Sequence, residues 1–94
     1  MAQVYILYSK NIDRYYVGSC KNLAIRYQDH LNKKYPNSYT RIADDWEIFF
    51  SVDKLTENQA RKIEKHIKSM KSRKYFENLK RYPEITEKLI NKFR

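Results

Sequence analysis

The chain is poor in the residues that punctuate and staple proteins: its 94 residues include one Gly, two Pro and one Cys. A single Gly excludes a Gly-rich phosphate loop and a dinucleotide-binding fingerprint, each of which needs several. The same scarcity excludes collagen-like and linker-like segments. A lone Cys20 excludes an internal disulfide framework and any multi-cysteine zinc site, and points to a reducing compartment. Long apolar runs are also missing. The longest, Val4-Tyr5-Ile6-Leu7-Tyr8, falls far short of the roughly 20 residues a membrane-spanning helix needs. Ahead of it, Met1-Ala2-Gln3 offers no basic region and no cleavage-like site, so no signal peptide is expected. No internal repeat is visible.

Acidic residues are the minority charge, 11 against 20 Lys and Arg, which leaves a net charge of +9. That balance points to a polyanionic partner, nucleic acid before an anionic membrane surface. The hydrophobic fraction of 41% and 14 aromatics, nine of them Tyr, argue for a folded core over disorder. Length predicts one domain over residues 1–94. Such a chain buries only about 60–65% of its unfolded surface, so aromatic rings and long Lys and Arg stems must help to cover the core.

Alternation of β-branched and aromatic residues predicts a strand over 4–9, with Val4, Ile6 and Tyr8 on one face and Tyr5 and Leu7 on the other. Residues 10–14 suit a hairpin loop, and 15–18 a second strand that ends on the only Gly. A unique Gly there implies either a positive φ or close approach of another group to the backbone. A helix follows over about 22–34, with Leu23, Tyr27 and Leu31 as its core stripe and with Arg26 and His30 four apart on the next. Residues 35–45 read as a loop, and 46–52 as a third, aromatic-rich strand. Thr56-Glu57-Asn58-Gln59 matches a capping box, with Leu55 and Ala60 as its hydrophobic staple. The helix it opens runs to about Met70 and buries Ala60, Ile63, Ile67 and Met70. Two shorter helices over 72–80 and 84–93 are split by Tyr82-Pro83, the last presenting Ile85, Leu89 and Phe93 on one side. The order β-β-α-β-α-α, with that extra C-terminal helix, defines an α+β fold: a small three-stranded, mostly antiparallel sheet flanked by helices.

Taken singly, the chemically capable residues have bland readings. His30 suits a solvated helix face, Arg26 surface charge, and Glu64 an i,i+4 pairing with Lys68 worth about 0.3–0.5 kcal/mol. Their arrangement changes that. Val4-Tyr5-Ile6 in the first strand and Tyr16-Val17-Gly18 ending the second resemble the paired signature of the GIY-YIG nuclease superfamily. Arg26 follows Gly18 by eight residues, and His30 comes one turn later, as in many members. Tyr39-Thr40-Arg41 and Trp46 resemble mid-domain positions. Ala60-x-x-x-Glu64-x-x-Ile67-Lys68 with Lys71-Ser72-Arg73 resembles the end of the compact, stand-alone branch, which is related to the N-terminal nuclease domain of the excinuclease. The resemblance covers about residues 3–80. Val4 replaces the first motif's Gly, Ser19-Cys20 stands where many members carry Lys or Thr, and the family's late Asn has no secure counterpart.

The resemblance implies a metal-dependent endonuclease that hydrolyses DNA phosphodiester bonds, with Tyr5, Tyr16, Gly18, Arg26, His30 and Glu64 as its catalytic residues. Glu64 would be the one metal ligand, for Mg²⁺ or Mn²⁺, because a hard cation that keeps most of its waters needs only one or two carboxylates. One of the two tyrosines would act as general base, with Arg26 as a permanent charge and His30 as proton acceptor or phosphate ligand. Gly18 would let the DNA backbone approach. Lys33, Lys34, Arg41, Arg61, Lys68, Lys71, Arg73 and Lys74 are candidate phosphate contacts. Residues 61–81 alone hold nine Lys or Arg against Glu64 and Glu77, which suits salt-dependent, largely sequence-independent binding.

Structured, nicked or damaged DNA is therefore the expected substrate, with DNA repair as the context. RNA stays open, since phosphate contacts do not see the 2′-hydroxyl. The competing readings are a non-catalytic nucleic-acid-binding module and a subunit active only with a larger protein partner. A monomer or weak dimer in a bacterial cytoplasm, nucleoid-associated when bound to DNA, completes the expectation.

Overall fold

A computed structural model describes residues 1–31 and 42–94. The expected contacts Lys33, Lys34 and Arg41, and the aromatics Tyr35 and Tyr39, lie outside the described residues. The elements are β1 (Ala2–Ser9), β2 (Arg14–Cys20), α1 (Leu23–Leu31), β3 (Glu47–Leu55), α2 (Glu57–Met70), α3 (Arg73–Arg81) and α4 (Pro83–Lys92). All three strands form one antiparallel sheet in the order β2-β1-β3, so β1 is central and β2 is an edge. This is the expected α+β architecture.

Each strand's alternation decides what its two faces bury. Val4 and Ile6 of β1 and Val17 of β2 face a core shared with Ala60, Ile63 and Ile67 of α2, Phe76 and Leu79 of α3 and Leu89 of α4. Tyr5, Leu7 and Cys20 face the other way, against Leu23 of α1, Ala43 and Trp46. The sheet thus carries α2, α3 and α4 on one face and α1 on the other. A central strand covered on both sides accounts for the continuous apolar run that the sequence shows at 4–8. Among the described residues, no helix is long and apolar enough to cross a membrane.

Helix starts follow their caps. Asn22 Oδ1 accepts from the Ile25 N–H at 3.3 Å at the start of α1. Thr56 and Gln59 make the reciprocal capping box, each bond 3.1 Å, while the staple residues Leu55 and Ala60 are both buried. Ser72 caps α3, and Pro83 occupies the first turn of α4. Two expectations are corrected. Met70, expected in the core, is 42% exposed; it is the last residue of α2, where the chain turns away through Lys71 at φ 47°. Trp46 is buried but precedes β3, its carbonyl accepting from the Tyr27 hydroxyl at 2.7 Å.

Two polar clamps hold the β1–β2 hairpin. Tyr8 donates to Asp13 Oδ1 at 2.7 Å, and Arg73 of α3 pairs with Asp13 Oδ2 at 2.6 Å, donates to the Asp13 carbonyl and lies over the Tyr15 ring. On the other side the fully buried Ser9 hydroxyl and the Asn11 N–H both donate to the Asp45 carboxylate. These bonds, Ser9's first, hold the Asp45 carboxyl below its ordinary pKa. A depressed folded-state pKa stabilises the fold above the unfolded value, and that share is lost as pH falls through the folded one. Asp45→Asn is therefore expected to flatten the acid limb of the stability–pH curve, as read by urea unfolding between pH 7 and pH 2. Lys71 in the left-handed region carries a steric cost that glycine avoids. Even after glycine's greater unfolded-state entropy, Lys71→Gly is expected to raise unfolding free energy by about 0.5–1 kcal/mol, visible as a higher melting temperature.

Candidate active site

The cross-strand pair Tyr5–Gly18 sets the geometry. Tyr5 lies on the central strand with 1% of its surface exposed, and its ring leans over Gly18 of the edge strand. A Cβ at position 18 would fall 2.5 Å from the Tyr5 hydroxyl oxygen and 2.7 Å from Cζ, closer than real contacts come. Gly18 does not have a positive φ. Of the two sequence readings for this unique Gly, the structure selects close approach, and the approaching group is the Tyr5 ring. The gap lets a phenol rooted in the central strand reach out across β2.

Tyr16 stands two residues before Gly18 on the same face, half-buried, its ring centroid 6.3 Å from that of Tyr5. Burial pushes the Tyr5 phenol well above the ordinary tyrosine range, and Tyr16, Cys20 and Glu64 add to the rise while the Arg26 guanidinium opposes it. Residues from β2, α1 and α2 thus act electrostatically on one hydroxyl of β1. Burial likewise raises the Cys20 thiol, which makes it a packing residue and a poor nucleophile.

Glu64 reaches the same edge from the opposite face of the sheet. In α2 it sits between the buried Ala60, Ile63 and Ile67, so the burial of that stripe fixes the flank on which Glu64 emerges. Ser19, with Tyr15 and Val17, points to the α2 side, and its hydroxyl donates to Glu64 Oε1. Lys68 Nζ lies 2.7 Å from Glu64 Oε2. The carboxylate side chain is 19% exposed. Sequence reasoning passed over Ser19 as a partner of Glu64. The available signal was its parity with Val17, which turns it toward α2 once the strand is assigned.

Beside this edge a cleft of about 500 Å³ opens between α1 and α2. Ser19 and Arg26 line it, with the charged Lys21, Asp29, Glu57 and Arg61 and the apolar Ala2, Ala60 and Ile25. Lys21 at 2.9 Å and Arg61 at 3.7 Å both pair with Glu57. The structure therefore brings together Tyr5, Tyr16, Gly18, Arg26 and Glu64, with His30 one helical turn after Arg26 on α1. Of the expected phosphate contacts, Arg61 borders the cleft, Lys68 is on Glu64, Lys71 ends α2, Lys74 is exposed and Arg73 is held by Asp13. Among the described residues, no three His, Cys, Asp or Glu side chains gather as a metal cluster.

The described residues thus place Tyr5 of the central strand and Tyr16 of the edge strand on one face with Arg26, and Glu64 on the other. The GIY-YIG catalytic domain matches this chain over residues 1–78, and the chain belongs to that family of endonuclease domains. No curated protein and no solved structure matches it.

If Gly18 serves to admit Tyr5, the two residues must be energetically coupled. Gly18→Ala is expected to destabilise the wild-type fold by about 1–3 kcal/mol through overpacking, and to cost much less where Tyr5→Leu has removed the ring. Urea unfolding of the four members of that double-mutant cycle measures the coupling. Equal costs in both backgrounds would assign Gly18 another role.

Proposed function

We propose that this protein is a metal-dependent endonuclease that cleaves DNA at structured, nicked or damaged sites. The observation that carries the reading is the meeting of Tyr16, Tyr5 and Arg26 from one face of the sheet with Glu64 from the other, along the exposed edge of β2. Hydrolysis needs a deprotonated water, countercharge on the phosphate oxygens and a proton for the departing 3′ oxygen.

The donor set fits a divalent cation of limited protein ligation. Glu64 is partly exposed and already holds a cation, the Lys68 ammonium, on one oxygen. One carboxylate suits an ion that keeps most of its waters, such as Mg²⁺ or Mn²⁺. Bound at Glu64, such an ion supplies Lewis acidity to a phosphate oxygen. Arg26 offers a planar fork to the remaining phosphate oxygens.

Between the tyrosines, we assign the general base to Tyr16. Tyr5 is buried and its phenol is driven upward, so it holds its proton and serves as a positioned hydrogen-bond donor to the water. Tyr16 is half-buried on the edge strand, where water has access. It takes the water proton as a phenolate, its own proton having passed first to bulk water. As the water oxygen bonds to phosphorus, the bond from phosphorus to the 3′ oxygen breaks, and the departing oxygen takes up a proton from bulk water.

Arg61, Lys71 and Lys74, with Lys33, Lys34 and Arg41, contact phosphates. Such contacts carry no base identity, which favours recognition of DNA shape over a long sequence. A cleavage assay on linear, nicked, flapped and branched DNA at low salt with Mg²⁺ or Mn²⁺ tests this. Wild type is expected to cut only with metal, and Glu64→Ala and Tyr16→Phe to lose at least about 100-fold in rate while fluorescence anisotropy shows DNA still bound. Binding without cleavage by wild type on every substrate would assign the chain to the non-catalytic or partner-dependent class.

A further inference from the structure

The two oxygens of Glu64 are engaged by unlike partners. On Oε1 the Ser19 hydroxyl is a neutral donor fixed to the strand, so it orients the carboxylate without adding charge. On Oε2 the Lys68 ammonium sits at 2.7 Å, one helical turn further along α2. Glu four residues ahead of Lys is the favourable order for such a pair. The Lys68 side chain is 51% exposed against 19% for Glu64. Its stem is flexible and its far end is free to leave into water, whereas the carboxylate is anchored by Ser19 and by the buried stripe around it.

We propose that Lys68 is the resident counter-ion of Glu64: its ammonium occupies the open side of the carboxylate, and a divalent cation gains that oxygen only by displacing it. The inference rests on the metal-dependent reading given above. An ammonium and a doubly charged ion within about 4 Å of each other repel strongly, so the two do not share Oε2. Once displaced, Lys68 remains tethered one turn from Glu64 on α2, where a nucleic-acid phosphate is its natural anion. One side chain then screens the carboxylate in the free protein and turns to phosphate in the loaded one.

The test is isothermal titration of Mn²⁺ into the full chain at low ionic strength, without DNA. Wild type is compared with Lys68→Gln, Lys68→Arg, Lys65→Gln and Glu64→Gln. Partly exposed ion pairs are modest, so removing the competitor is expected to tighten binding roughly three- to tenfold in Lys68→Gln. Lys68→Arg, which keeps a cation at the end of a similar stem, is expected to stay within about twofold of wild type. Lys65→Gln removes the same charge from an exposed position elsewhere on α2 and reports the general field effect. Binding by Lys68→Gln no tighter than by Lys65→Gln overturns the counter-ion role and leaves the metal reading standing. Binding that survives Glu64→Gln, or none by wild type and Lys68→Gln alike, overturns both.

Discussion

Much of this structure depends on one missing side chain. β1 is the central strand, covered by helices on one face and by α1 with Trp46 on the other, and a residue there ordinarily ends its side chain in the core. Tyr5 stays buried there, yet its ring reaches toward the edge strand because Gly18, its cross-strand partner, leaves a gap that the ring fills. The fit couples two things usually kept apart in a small domain. The same ring completes the core layer with Leu7, Cys20 and Trp46 and carries a polar hydroxyl toward the edge strand. The hydroxyl is thereby desolvated, and its raised pKa follows from the packing that positions it.

A sheet edge is also the one place where groups from opposite faces can meet. α1 and α2 pack on different sides of a three-stranded sheet, so Arg26 and Glu64 would be separated by the sheet if they projected from its middle. Along β2 they approach the same strand from either side. Ser19 and Gly18, adjacent in sequence and opposite in orientation, serve the two sides in turn: Gly18 admits Tyr5 on one face, and Ser19 holds Glu64 on the other. Residues 18 and 19 thus link two halves of a site whose members lie far apart in the chain.

What could be read from the sequence was what local chemistry determines. The period-2 runs, the Thr56 capping box, the Ala60, Ile63 and Ile67 stripe and the Pro83 break each specify their element within a few residues, and each is present. The family signature added the pairing of Tyr5 with Tyr16 and the selection of Glu64 from eleven acidic residues. What the sequence concealed were partnerships across the fold. Arg73 looked like one more cation in a basic stretch, yet it closes on Asp13, sixty residues earlier. Asp45 looked like loop polarity, yet it receives the buried Ser9 hydroxyl. Met70 continued a helical stripe past the point where Lys71 turns the chain, and periodicity alone does not mark that turn. The role of Gly18 was legible as a choice between two causes, and only the position of a ring 13 residues away decides it.

Charge explains why so sparse a site can be adequate. With +9 overall, the protein's field already attracts phosphate, and additional acidic ligands at the reaction centre would oppose that attraction. A single carboxylate keeps the local cost small. It also leaves Glu64 exposed to capture by the lysines that surround it, as its pairing with Lys68 shows. Asp13 and Glu57 are likewise matched to cations, Arg73 for one and Lys21 with Arg61 for the other. Asp45, held by the Ser9 hydroxyl and the Asn11 N–H, shows that neutral donors also hold a carboxylate here. On the proposed reading, Glu64 has to be oriented by something neutral if it is to exchange one cation for another without losing its place. The Ser19 hydroxyl is such a group, and its strand position ties the orientation of Glu64 to the same edge strand that carries Tyr16 and Gly18.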